Sequence, residues 1–175
     1  MENSELELAK TQVNESYEEL SAVVDEIVSK ITYELDTQVD KLSAGIDTYS
    51  NNDLRDIMTR ISVETYFIGI TKEQSSLKES CAIALYKESS AKAYAKAVGP
   101  NEAKKNQAVI DTVSQQAVSM LYSAVTGILK TKCDEGHRIV SVLNGVLISR
   151  AADAKQQTNP RTELDTMNTL DDIGE

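Results

Sequence analysis

Residues 13–46 read VNESYEELSAVVDEIVSKITYELDTQVDKLSAGI, with apolar residues at Val13, Tyr17, Leu20, Val24, Ile27, Ile31, Leu35, Val39, Leu42 and Ile46. Nine successive steps of three or four residues draw one stripe along an α-helix, because a turn takes 3.6 residues. The steps run 4-3-4-3-4-4-4-3-4, so the heptads slip near Leu35, as in a stuttered coiled coil or one helix of a bundle. Upstream, Ser4 and Glu7 have the spacing of a capping box that would start the helix. Downstream, Gly45 and Tyr49-Ser50-Asn51-Asn52 predict its end, since Gly and Asn accept turn geometry.

A second helix is predicted from about residue 52 to residue 98, with Asn52 as cap and Asp53 in its first turn. Its apolar set is Leu54, Ile57, Ile61, Ile68, Leu77, Cys81 and Leu85, passing into an alanine-rich end, and Gly69 is a place where it can bend. Gly99-Pro100 stops it: Gly suits a left-handed cap and Pro cannot extend the hydrogen-bond ladder. The third predicted helix covers about residues 101–154, through Val109, Val113, Ala117, Met120, Ala124, Ile128, Val140, Leu143 and Leu147. Gly127, Gly136 and Gly145 are the expected points for a bend in so long a rod. Residues 155–175 hold Pro160 and end in DDIGE, with little to bury, and read as a disordered acidic tail.

The chain of 175 residues has 7 Gly, 2 Pro, 7 Tyr, 1 Phe and no Trp, which lacks the turns and aromatics of a β-sandwich or barrel. The expected fold is therefore all-α: an elongated antiparallel bundle of three long helices with the acidic tail. It divides into an acidic first helix (1–50), a basic helical hairpin (51–154) and the tail (155–175). The seam residues Leu20, Val24, Ile27 and Ile31 either join copies of the chain or pack within it.

The formal net charge of −10 argues at first against a polyanionic partner. Counted by segment, residues 1–57 hold 14 acids and 4 bases, residues 58–152 hold 8 and 12, and residues 153–175 hold 6 and 2. A basic middle is thus flanked by two acidic ends. Lys92, Lys96, Lys104 and Lys105 bracket Gly99-Pro100 and would gather at one hairpin tip; Tyr94 lies on the other side of the helix from Lys92 and Lys96 but shares a face with Lys87, and an aromatic near cations can stack a base. These five residues are the candidate nucleic-acid contacts, set against the plainer reading of a solvated helix end.

Other chemistry has less support. No basic, apolar leader opens the sequence and no run of about 18 apolar residues occurs, so a cytoplasmic protein with no membrane partner is expected. Cys81 and Cys133 are expected to be reduced thiols. Cys133 and His137 are one turn apart, but structural zinc needs four ligands and this is the sequence's one His. Phosphate-binding glycine loops are missing, and a nucleophilic triad would have to converge on His137. Neither an enzyme nor a cofactor is expected.

A helix ending in Ser90-Ala91-Lys92-Ala93-Tyr94-Ala95-Lys96, a Gly99 turn, and a last helix through Met120-Leu121-Tyr122, Ile128-Leu129-Lys130 and Arg138-Ile139 resembles phage recombination mediators of the UvsY-like family. The resemblance covers about residues 60–150. It implies a small helical oligomer that helps load a RecA-type recombinase onto single-stranded DNA already coated by a binding protein, in a host cytoplasm. It also implies DNA contact at Lys92-Ala93, the first two residues of the family's Lys-Ala-basic stretch. Tyr94 stands where the next basic residue belongs, and Glu135-Gly136-His137 replaces a basic, small, aromatic trio. The acidic first helix has no counterpart there.

Two functions are thus expected in competition. One is a non-enzymatic accessory protein that binds single-stranded DNA and a protein partner as a homo-oligomer. The other is an assembly or adaptor protein acting through coiled-coil-like helix contacts.

Overall fold

The computed structural model describes residues 2–158, and side chains from residue 18 to residue 156. Four helices follow one another: α1 (Glu2–Ser43), α2 (Asn51–Lys96), α3 (Asn101–Asp111) and α4 (Val113–Thr158), with a 3-10 turn at Ile46–Thr48 between the first two. No strand occurs among the described residues. The all-α bundle with three long helices is therefore as the sequence predicts. The acidic tail lies outside the described residues from position 159 on, and residues 155–158 belong to the last turn of α4.

Each boundary has a local cause. Gly45 turns the chain at φ 109°, a backbone region that disfavours side chains. The start of α2 is capped by Ser50, not by Asn52: Asp53 N–H donates to Ser50 Oγ at 3.2 Å, and Ser50 N–H donates to the Asp53 carboxylate at 3.1 Å. That reciprocal pair satisfies two amides that no helical carbonyl can reach. The Ser50 hydroxyl, donating to Asp53 Oδ2 at 2.6 Å, and after it the Ser50 amide hold the Asp53 carboxyl below its ordinary range. At the other end Gly99 adopts φ 124° and Pro100 caps α3. The box expected at Ser4 and Glu7 does not open α1, which is already helical at Glu2.

The expected third helix is broken, but not at a glycine. Thr112 separates α3 from α4 at φ −122°, ψ 12°; its buried hydroxyl donates to Ala108 O at 2.7 Å, and its amide donates to Val109 O. Gly127, Gly136 and Gly145 all lie within the unbroken α4, and Gly69 within the unbroken α2. At about 1.5 Å per residue, α2 and α4 are rods of about 70 Å.

Cross-helix bonds fix the directions. Thr126 donates to Ser75 Oγ, and Cys133 Sγ approaches Thr65 O, so α4 runs antiparallel to α2. Asp36 meets Lys132, and the carbonyls of Ile46 and Tyr49 meet Arg150, so α1 runs parallel to α4. The core forms where all three long helices meet: Val24, Val28 and Leu35 from α1, Leu54, Ile57, Ile61 and Ile68 from α2, Val125, Leu129, Cys133 and Leu143 from α4. Ile27 and Ile31 pack against it. Most of the α1 seam is therefore occupied within the chain, and Leu20 is half-buried.

Beyond this core, toward the α2–α3 turn, the hairpin thins. Its buried residues there are Ser75, Ala82, Ala108 and Thr112, all small side chains. Leu77 and Leu85, part of the predicted apolar set, are 67% and 60% exposed. Val109, Val113 and Met120 of the third segment are likewise exposed.

Candidate docking groove and hairpin tip

Two grooves line the thin half of the hairpin. The larger, about 610 Å³, runs between α2 and α4, walled by Leu77, Cys81 and Leu85 on one side and by Val118 and Tyr122 on the other. Its lining is apolar, with Lys78 at the edge, whose ammonium lies 5.8 Å from the centre of the Tyr122 ring. A lysine stem laid along an aromatic ring keeps its charge in water and its methylenes on apolar surface.

The position of this groove follows from the heptads of α4. Val118, Val125 and Lys132 are spaced by seven residues and so share a face. Val125 lies in the core with Val24 and Val28, and Lys132 bonds Asp36 of α1. The groove therefore continues, toward the turn, the same side of the hairpin that α1 covers further along. Val24 is the buried core residue of α1 nearest that end among the described side chains.

The smaller groove, about 540 Å³, lies between α2 and α3 and is lined by Tyr86, Lys87, Tyr94, Lys105 and Val109 among others. The Tyr94 ring is 37% exposed, and its hydroxyl stands 3.4 Å from Asn101 Oδ1 across the turn. Of the five expected contacts, Tyr94 and Lys105 are brought together, and Lys87 joins them. Lys92 faces Glu88 instead, in an exposed ion pair one turn apart, which lowers the Glu88 carboxyl by its hydrogen bond first and its charge second. Lys96 and Lys104 do not line the groove. Lys87 was visible in sequence as sharing a face with Tyr94, but only the fold of α3 over α2 brings Lys105 beside them.

Cys133 and His137 make no such convergence. The thiol is buried beside Thr65 while the imidazole is exposed, and burial pushes the Cys133 thiol up, so it stays protonated near neutral pH. No helix among the described residues is long and apolar enough to cross a membrane. Comparison with protein-family models, with curated protein sequences and with solved structures finds no match.

Proposed function

We propose that the protein is a non-enzymatic assembly protein that self-associates by helix packing through the α2–α4 groove. The observation that carries this reading is the unpartnered apolar wall of Leu77, Leu85 and Val118, each at least 45% exposed. Scattered exposed apolar residues are ordinary, but these three line one continuous groove with Cys81 and Tyr122, and such patches mark interaction surfaces. The cytoplasmic setting expected from the sequence is kept in this reading.

The test is mass by light scattering over a range of concentrations, for the full chain and for Leu77→Asp/Leu85→Asp. An oligomer that becomes a monomer in the variant, with unchanged helical circular dichroism, is the expected result. A monomer throughout the wild-type range overturns the reading.

The grouping of Tyr94 with Lys87 and Lys105 favours a second reading, the single-stranded DNA accessory role of a recombination mediator. A ring that can stack a base between two cations that can pair phosphates is the minimal platform for a single strand. Binding of an oligonucleotide that weakens steeply with salt would support it, and no binding at low salt would remove it.

A further inference from the structure

We infer that the α2–α4 groove is filled by the first turns of α1 from a second copy of the chain, exchanged reciprocally; this rests on the assembly reading above. Three observations lead there. The groove continues the face on which α1 already packs, since Val118 shares a heptad position with Val125 and Lys132. An occupant that extends an existing interface needs the same kind of surface as α1, an amphipathic helix with an apolar stripe.

The sequence supplies that stripe ahead of the described side chains. Leu6, Ala9, Val13, Tyr17 and Leu20 are spaced by steps of three and four, continuing the seam that enters the core at Val24. Yet within one chain Leu77, Leu85 and Val118 stay exposed, so the matching surface in the groove is left for another molecule.

Charge complements the shape. Residues 1–20 hold six Glu and one Lys, whereas residues 75–122, which form the groove and the tip, hold six Lys and four acids. Of these lysines, Lys78 stands at the groove edge, over the Tyr122 ring. An acidic helix seated there meets the Lys78 ammonium at its rim, where a charge helps set orientation and partner choice. Packing one groove on its own copy would instead bring like-charged rims together.

Cys81, exposed in the groove wall, makes the test direct. Two full-length proteins are mixed under mild oxidation: one carries Cys81→Ser with a single new cysteine, as Ala9→Cys, Val13→Cys or Tyr17→Cys in turn, and the other keeps Cys81. Expected is a dimer-mass product whose disulfide, mapped by peptide mass, joins Cys81 to the introduced cysteine for at least one of the three. Its yield should fall several-fold when the partner carries Lys78→Glu, the charge at the groove edge. A dimer by light scattering that gives no such disulfide overturns the inference and leaves the assembly reading standing. A monomer by light scattering overturns both. A monomer-mass disulfide, formed when the introduced cysteine and Cys81 share one chain, also overturns the inference, because the chain's own helix then fills the groove.

Discussion

Lys132 Nζ lies 2.7 Å from Asp36 Oδ1, joining α4 to α1 across 96 positions of sequence. Thr32 Oγ1 donates to the other carboxylate oxygen at 2.7 Å, and Glu135 Oε2 lies 3.2 Å from the same ammonium. The Lys132 pKa is raised above its ordinary 10.5, first by the hydrogen bond to Asp36, while partial burial opposes the rise. A raised folded pKa means the contribution is complete below about 10.5 and is lost as pH climbs through the folded value.

Lys132→Met should therefore lower stability by about 0.5–1 kcal/mol at neutral pH, the range of a partly exposed pair. Denaturant unfolding of the wild type and the variant should differ by a constant amount from neutral pH up to the lysine range and converge above it. A double-mutant cycle with Asp36→Asn isolates the pair, and additivity of the two single changes would show that the pair contributes nothing.

Gly136 lets α4 pass close against Thr65 of α2. A Cβ built there falls 2.1 Å from Thr65 Oγ1 and 3.1 Å from Thr65 Cβ. Gly136→Ala should then destabilise the fold by about 1–3 kcal/mol, the cost of forcing a methyl into a packed crossing, although Ala is the better helix former. Adding Thr65→Ala removes the nearest atom, a buried hydroxyl with no partner among the described residues, and should recover part of the loss. Thermal melts of the single and double variants check both steps, and a neutral Gly136→Ala would show that the helices move apart freely.

How much of this was legible in sequence depends on how many neighbours a helix has. The α1 stripe reads correctly at Val24, Ile27, Ile31 and Leu35, yet Val28, Thr32 and Gln38 are buried too. A helix wedged between two others buries a second stripe, and polar members of that stripe carry no hydropathy signal. The regular spacing of Leu77 and Leu85 misleads in the opposite way, because periodicity marks a face that can be covered, whereas one chain leaves it open. Glycine is the breaker that sequence suggests for the last segment, yet Gly136 serves close packing and the helix breaks at Thr112.

At the hairpin tip, the lysines should separate by their surroundings. Lys105 and Lys87 line the same groove as Tyr94, while Lys92 is already paired with Glu88. If a single strand binds there, Lys87→Ala and Lys105→Ala should each flatten the salt dependence of binding by about one phosphate contact. Lys92→Ala should change it less. Fluorescence anisotropy with a labelled oligonucleotide over a salt series checks this, and equal slopes for all three variants would show that the Tyr94 groove is not where the strand lies.

Arg150 closes the turn between α1 and α2 from the far end of α4. Its guanidinium donates to Tyr49 O at 2.8 Å, to Ile46 O at 3.1 Å and to Asn51 Oδ1 at 3.3 Å, with Asp47 3.5 Å away. A planar fork can serve several acceptors at once, whereas a lysine ammonium is a single point on a flexible stem. Arg150→Met keeps the stem but leaves two partly buried carbonyls without their charged donor, a loss of about 1–3 kcal/mol. Arg150→Lys should recover only a fraction of that. The turn itself should loosen before the rest of the bundle, since the Thr48 and Tyr49 amides bond only to Gly45 O and Ile46 O within it. Hydrogen exchange at those two amides should therefore quicken in both variants while exchange at Leu129, in the middle of the core, changes only as global stability does. Unchanged exchange at Thr48 and Tyr49 would mean that the turn holds its shape without α4.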